Sequence, residues 1–148
     1  MLHIFPEYYS VSALRAEPEA LFIFGDNCER YGKGGQAIIR SEPNAVGIAT
    51  KLSPSAYMTD RDFLANLSII LHDLQPVNSA LNQGKKVYWP RGGIGTGLSA
   101  MPEKCPATFS VLQFLMDILF EEHAAIKGQL STWTDDAHIH GLEGSELG

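Results

Sequence analysis

Two glycine-rich stretches carry most of the chemistry that can be read from this chain. The first is Phe24-Gly25-Asp26-Asn27 running into Gly32-Lys33-Gly34-Gly35-Gln36-Ala37, and the second is Arg91-Gly92-Gly93-Ile94-Gly95-Thr96-Gly97. Glycine permits positive φ and a close approach of backbone to an oxyanion. The free N–H groups of such a turn, and of a helix that follows it, supply donors and a positive dipole end. Two such turns predict a cleft that grips one phosphorylated ligand. Arg91, just after an apolar run, has the bidentate geometry for a phosphate but is as often a salt-bridge partner. Lys33 is open in the same way, between a phosphate contact and a solvated loop cation. Arg30 and Arg40 are undecided.

Known phosphate loops fit poorly. A Walker A loop needs Gly-Lys-Ser/Thr, and Gly93-Ile94-Gly95-Thr96-Gly97 has no such lysine, which speaks against ATP hydrolysis. A dinucleotide fingerprint needs its glycine turn after the first strand and an acidic residue about 20 positions on. Here the best glycine turn follows the last recognisable strand, so nicotinamide oxidoreduction is not favoured. Cys28 beside the first turn is a conceivable nucleophile, but no basic partner is placed to lower its pKa. Neither it nor Cys105 has metal-ligand spacing. His138 and His140 follow Asp135 and Asp136 without a third ligand, the pattern of a surface pair. Trp89 and Trp133 are read as packing residues, with stacking on a base as the other use. The sequence calls for no cofactor and no metal.

The elements that must position these turns follow from hydrophobic periodicity. Leu21 to Phe24, Ala45 to Thr50 and Val87 to Trp89 are short, nearly continuous apolar runs, as in strands buried on both faces of a parallel sheet. From Thr59 to Gln75 the residues Phe63, Leu64, Leu67, Ile70, Leu71 and Leu74 share a helical face. Thr59 with Asp62 reads as a capping box and Pro76 as the end. A short helix is expected over Gln36 to Ser41. A longer one runs from near Pro102 and Pro106 through Phe109, Leu112, Leu115, Met116 and Leu119 toward Glu122. The segment with Tyr8, Tyr9 and Val11 is a candidate edge strand. Together these predict an α/β fold, a three-layer α/β/α domain with a mostly parallel sheet and right-handed crossovers. One domain is expected over residues 1–137, with a polar, acidic tail at 138–148.

Composition narrows the function classes. The chain has 148 residues, 45% hydrophobic and 19% charged, with a net charge of -6. Residues 1–100 hold nine basic and nine acidic side chains, so the whole excess lies beyond them. Such a balance argues against general nucleic-acid binding, and against duplex DNA or RNA binding above all, which draws most of its affinity from basic side chains on phosphates. No apolar run approaches a membrane span and no signal peptide is evident, so a cytoplasmic protein is expected.

On these motifs the chain resembles the macrodomain superfamily, the ADP-ribose-binding α/β/α modules, over roughly Leu21 to Leu119. Leu21 to Asn27 with Lys33 to Ala37 is similar to that superfamily's first strand and glycine loop. Val87-Tyr88-Trp89-Pro90 with Gly93 to Gly97 is similar to its diphosphate loop. The chain also looks like small phage and bacterial proteins that carry the same Phe-Gly-Asp-Asn and Gly-Gly-Gln-Ala signature. The resemblance implies ADP-ribose or a related phosphoribosyl nucleotide as ligand, with Asn27 near the distal ribose and Gly34, Gly35 and Gln36 around that ribose and its phosphate. It further implies Gly95, Thr96 and Gly97, in a loop that includes Gly93, on the diphosphate, and Asp26 as an adjacent polar contact.

A further likeness is to the macrodomains that remove terminal ADP-ribose from protein carboxylates, through Ile48-Ala49-Thr50-Lys51 and Pro90 with Gly93 to Leu98. It implies hydrolysis of an ADP-ribosyl bond, with Lys51 as amine nucleophile and Asn27 and Gln36 orienting ribose and water. Against it, Ser99 stands where that class has an aspartate, and Lys51 reads first as a solvated lysine that caps the strand or pairs with the diphosphate. Three functions are thus expected in order: a nucleotide binder capable of hydrolysis, a non-enzymatic reader of ADP-ribosylated protein or free nucleotide, and an interaction protein of phage origin without a nucleotide ligand.

Overall fold

The computed structural model describes residues 1–123. The tail assigned to 138–148, the His138/His140 pair and Trp133 lie outside the described residues. The elements, in chain order, are β1 Leu2–Ile4, α1 Val11–Ala16, β2 Leu21–Asn27, β3 Ala45–Ser53, β4 Ala56–Tyr57, α2 Phe63–Asn82, β5 Val87–Trp89, α3 Met101–Lys104 and α4 Pro106–His123. Short 3-10 helices cover Gly35–Ile39 and Asp60–Asp62. The sheet order is β1-β5-β2-β3-β4. The first four strands in that order run parallel, and β4 pairs antiparallel with β3 at Lys51↔Tyr57 and Ser53↔Ala56. The fold is α/β with a mostly parallel sheet, as the alternating runs predict.

Each face of the sheet has its own core. On one face Ile23, Ile48 and Val87 meet Ile70 and Val77 of α2 and Leu112 and Met116 of α4. On the other, Phe5, Phe22, Phe24 and Tyr88 pack with Leu14 of α1 and Ile39 of the first 3-10 helix. Phe22 and Tyr88 lie 4.7 Å apart between ring centroids, and Phe5 meets Tyr88 edge-on at 5.0 Å. Full burial of such side chains contributes roughly 1.5–3 kcal/mol each. Removing one would loosen the whole face.

Several boundaries differ from expectation. The strands are longer: β2 continues through Gly25, Asp26 and Asn27, paired with Ile48, Ala49 and Lys51, so this stretch is strand and the turn starts at Cys28. The edge strand is Leu2–Ile4 and not the segment around Tyr8 and Tyr9, and Val11 opens a helix. The expected helix over Gln36 to Ser41 is the shorter 3-10 helix Gly35–Ile39.

The helix expected from Thr59 to Gln75 is α2, which starts later and passes straight through Pro76. Pro76 and His72 both sit on the exposed side, where water can reach the carbonyl that loses its N–H partner. The expected apolar face is also rotated. Leu64 and Leu71 are 78% and 51% exposed, while Asn66, Ile70, Asp73, Leu74, Val77, Ala80 and Leu81 form the buried stripe.

Neither Thr59 nor Asp62 caps α2 through its side chain. The working cap is Asp60, and it serves α4. Its carboxylate accepts the N–H groups of Ala107 at 2.9 Å and Thr108 at 3.0 Å, and the Thr108 hydroxyl at 2.8 Å. Partial burial opposes its charge, but these three donors outweigh that and hold the carboxyl below its ordinary value of 3.8. The bond therefore stabilises fully above that value and is lost as pH falls through the lower folded value. Asp60→Ala is expected to lower unfolding stability by about 1 kcal/mol at neutral pH. The deficit should shrink in urea melts repeated under increasing acidity, and a deficit that does not vary with pH would show that Asp60 is not the cap.

Candidate functional site

Strands β2 and β5 are neighbours, and the chain leaves them toward opposite faces of the sheet. After β2 it turns into Gly35–Ile39, whose Ala37 and Ile39 belong to the aromatic core, and after β5 it runs into α3 and α4 above the aliphatic core. A crevice opens where adjacent parallel strands diverge in this way, at the carboxyl ends of the strands. Both glycine stretches end there.

Gln36 joins them. Its Oε1 accepts the Gly25 N–H at 2.8 Å and its Nε2 donates to the Gly93 carbonyl at 2.7 Å. A single amide thus fixes the first turn against the second across the sheet's end. A cleft of about 300 Å³ borders this bridge, lined by Tyr8, Tyr9, Gly35, Gln36, Arg91 and Gly92. On the other side of the second turn lies a mostly apolar cleft of about 270 Å³, among Trp89, Gly93, Ile94, Thr96, Phe109 and Met116. Trp89 packs edge-on to Phe120 at 5.9 Å there, the packing role expected for it.

The glycines divide by what surrounds them. A Cβ on Gly34, Gly92 or Gly97 would meet nothing within 4 Å, and Gly35 is equally open but holds φ +56°. Gly95 does not share that openness. It is buried at φ +87°, and a Cβ there would come 2.7 Å from Met101 Sδ and 3.3 Å from Phe109 Cε1. The expected diphosphate contact at Gly95 is therefore a packing position, and Thr96 and Gly97 carry the exposed part of the turn. The backbone N–H groups of Gly34, Thr96 and Gly97 have no acceptor among the described residues.

The polar residues expected to orient a ligand are held by the protein itself. Asn27 is buried. Its Nδ2 donates to the Tyr31 carbonyl at 2.8 Å and its Oδ1 accepts the Glu29 N–H at 3.0 Å, which closes the turn after β2. Asp26, also buried, pairs with Arg40 at 2.7 Å and Arg30 at 3.3 Å. Arg30 in turn grips both oxygens of Asp73, at 2.7 and 2.9 Å. Burial opposes the Arg30 charge, but its bonds to Asp73 and then to Asp26 outweigh this and raise its pKa. These ion pairs settle the reading left open for Arg30 and Arg40.

Lys51 donates from Nζ to the Pro54 carbonyl at 2.8 Å and lies 5.0 Å from the Tyr57 ring centroid. Ser99, in the position of the missing aspartate, meets the Thr50 hydroxyl at 2.6 Å, and Thr50 also donates to the Asp26 carbonyl at 3.2 Å. Arg91 lies over the exposed Tyr8 ring at 5.0 Å, and Lys33 is exposed. Burial raises the Cys28 pKa, with Asp73 and Asp26 opposing the help of Arg30, so the thiol is not activated. Among the described residues no cluster of His, Cys, Asp and Glu is arranged to hold a metal ion, and no helix is long and apolar enough to cross a membrane.

Neither Asp73 nor Gly47 belongs to a motif of the sequence, although both shape the site. Asp73 had a signal: with Asn66 it is a polar residue at the spacing of Ile70 and Val77, on the buried stripe of α2. Gly47 had none, because its lack of a side chain makes room for Asp26, a residue distant in sequence.

No curated protein and no solved structure matches the chain. Residues 4–115, which contain both glycine stretches and the Gln36 bridge between them, match the family described as "Family of unknown function (DUF7831)", and the chain belongs to that family.

Proposed function

We propose that this protein binds ADP-ribose or a related phosphoribosyl nucleotide in the crevice between β2 and β5, and that it reads this ligand without hydrolysing it. The observation that carries the reading is the Gln36 bridge from Gly25 to Gly93, which brings the two glycine turns to one cleft. Anions are held well where several backbone N–H groups converge without side chains in the way. Gly34, Thr96 and Gly97 offer such groups, and Arg91 stands at the cleft's edge. The diphosphate then lies between the turns, and the adjoining apolar cleft beside Trp89 and Phe109 suits a planar base.

Binding is favoured over turnover because the groups that hydrolysis would use are already committed. Lys51 is tied to the Pro54 carbonyl, Ser99 is paired with Thr50, Asp26 is neutralised by two arginines, and the amides of Asn27 and Gln36 brace the backbone. A general base must reach the proton it abstracts, and none of these side chains is free to do so.

Calorimetric titration with ADP-ribose, beside AMP and NAD, should give saturable heat, weakest for AMP. Gly34→Glu and Gly97→Glu each add a carboxylate to an exposed position of one of the two turns, where a Cβ meets nothing within 4 Å. Both variants should keep the wild-type melting temperature and bind ADP-ribose at least about tenfold more weakly, a difference of roughly 1.4 kcal/mol. Absence of heat and of any melting shift with millimolar ADP-ribose would sink the proposal.

Substitution at the bridge separates positioning from contact. Gln36→Ala leaves the Gly25 N–H and the Gly93 carbonyl without partners, which should cost about 1–3 kcal/mol in urea unfolding and abolish binding. Lys51→Ala should bind within about twofold of wild type, and neither protein should release ADP-ribose from a modified peptide in a mass-spectrometric assay. Turnover that disappears in Lys51→Ala would restore Lys51 as a nucleophile and refute the reader.

A further inference from the structure

The chain has five tyrosines, all within the described residues. Tyr9 and Tyr88 are built in, through bonds from Tyr9 to the Ile23 carbonyl and from Tyr88 to Glu17. The other three, Tyr8, Tyr31 and Tyr57, are 80%, 70% and 39% exposed. All three stand where the parallel strands end, the edge that holds the glycine turns. Two of the three present a ring to cations: Arg91 lies 5.0 Å over Tyr8, and Lys51 and Lys104 lie 5.0 and 4.8 Å from Tyr57. Each ring and cation pair is attractive in itself, and it offers a flat face beside a positive charge, which an anion with a planar partner can use together.

The three rings are linked into one track. Tyr8 and Arg91 share a cleft with Gly35 and Gln36, and the chain then runs back through exposed Gly34 and Lys33 to Tyr31. Gly32 stands near Pro54, so that a Cβ on it would lie 4.0 Å from Pro54 Cγ; the Pro54 carbonyl holds Lys51, and Lys51 shares the Tyr57 ring with Lys104. From β1 to β4 the track crosses five strands, roughly 19 Å at the usual strand spacing. A stacked polynucleotide strand advances about 3.4 Å per nucleotide, so the edge has room for several. Lys33, Lys51, Arg91 and Lys104, like Arg61 and Lys85, form no ion pair with a carboxylate of the described residues, whereas Arg15, Arg30, Arg40 and Lys86 all do.

We propose that this tyrosine and cation rim is a binding surface for single-stranded nucleic acid. Unpaired bases stack on the exposed rings, and Lys51, Lys104, Lys33 and Arg91 meet the phosphates between them. Aromatic platforms joined by local cations are how single strands are held without sequence preference. A duplex keeps its base faces covered and offers only phosphates, for which this chain's net charge of -6 is unsuited. Glu7, Glu29 and Glu103 share the edge, so attraction is confined to the ring and cation pairs and is not a broad positive field. Stacking therefore dominates, and salt dependence is shallow.

The test uses the full chain and fluorescein-labelled, unmodified DNA and RNA strands of roughly ten nucleotides, read by anisotropy at low salt. Saturable binding is expected, competed by unlabelled single strand and not by the duplex of the same sequence. The slope of log K against log salt should be no steeper than about -3, the value for four phosphate contacts. Tyr8→Ala and Tyr57→Ala should each weaken binding about tenfold, while Tyr8→Phe and Tyr57→Phe, which keep the ring, should bind as wild type. Melting temperatures should be unchanged in all four. The inference is overturned if no saturable binding occurs, if duplex competes equally, or if the double alanine variant binds as well as wild type. Binding of an acidic peptide in place of the oligonucleotide would assign the rim to a protein partner instead. Because the probe carries no ADP-ribose, the outcome is independent of the nucleotide titration.

Discussion

The end of the sheet is organised by one buried carboxylate. Taking Asp26 out of water is expensive, by several kcal/mol for an uncompensated ion, so the fold must surround it with partners. Arg40 and Arg30 supply the charge, and the Asn27 N–H adds a donor at 2.8 Å. Space comes from Gly47 on the neighbouring strand, where a Cβ would sit 2.8 Å from the Asp26 Cβ. Arg30 can reach both Asp26 and Asp73 from a left-handed backbone at φ 56°, strain that its pairing with two acids offsets. Asp73 then binds the Ala49 N–H at 2.8 Å, so the same network satisfies a backbone group of β3. Loss of Arg30 would leave the buried Asp73 without its arginine, a change that costs about 3–5 kcal/mol in comparable networks, whereas loss of Arg40 would leave Asp26 with Arg30 alone.

The turn after β2 inherits its shape from this network. Arg40 also donates to the carbonyls of Gly32, at 2.7 Å, and Tyr31, at 3.2 Å, so the residue that neutralises Asp26 also pins the glycine turn. Gln36 lies four residues before Arg40, at the opening of the same short helix, and its amide position follows from that anchoring. The crevice between β2 and β5 is thus set by a chain of bonds that begins at Asp26 and ends at the Gly93 carbonyl. Packing on either face holds the strands, but it does not dictate how far apart the two turns stand.

Local patterns made the central strands, the glycine stretches and the α4 helix legible in the sequence, since each rests on apolar runs or residues with special backbone freedom. The buried face of α2 is not legible in the sequence because its apolar residues are spread around the helix. Leu64 and Leu71 fit the template yet face solvent, while Asn66 and Asp73 are buried and satisfied by partners outside the helix. Asn66 donates to the Thr59 carbonyl at 2.9 Å and Thr108 Oγ1 at 3.1 Å, and Asp73 meets Arg30. Polar residues of this kind become interior only when a distant partner exists, and no window along the chain contains that information. Pro76 misled for a similar reason: the helix it should end continues because Val77, Ala80 and Leu81 are buried beyond it. Asn27 and Gln36 were recognised as important, but whether an amide serves ligand or backbone depends on what lies across the crevice.

The glycines sharpen that distinction into a division between scaffold and site. Gly47 and Gly95 are required from within, because a methyl group at either would collide with Asp26 or Met101. A Cβ on Gly25 would make only ordinary contact, 3.5 Å from Gln36 Oε1 and Ile94 Cβ. Gly34, Gly92 and Gly97 meet no such demand: none has a positive φ, and each faces open space. Glycine at an exposed position with ordinary φ adds chain entropy to the unfolded state and gives the fold no contact in return, so folding alone does not account for these three. What a bare backbone offers at such places is access to its N–H groups. Gly92 lines the cleft beside Gln36, and Gly34 and Gly97 flank the two turns that the Gln36 amide ties together, so what these three offer is bare backbone at the turns and no contact within the fold.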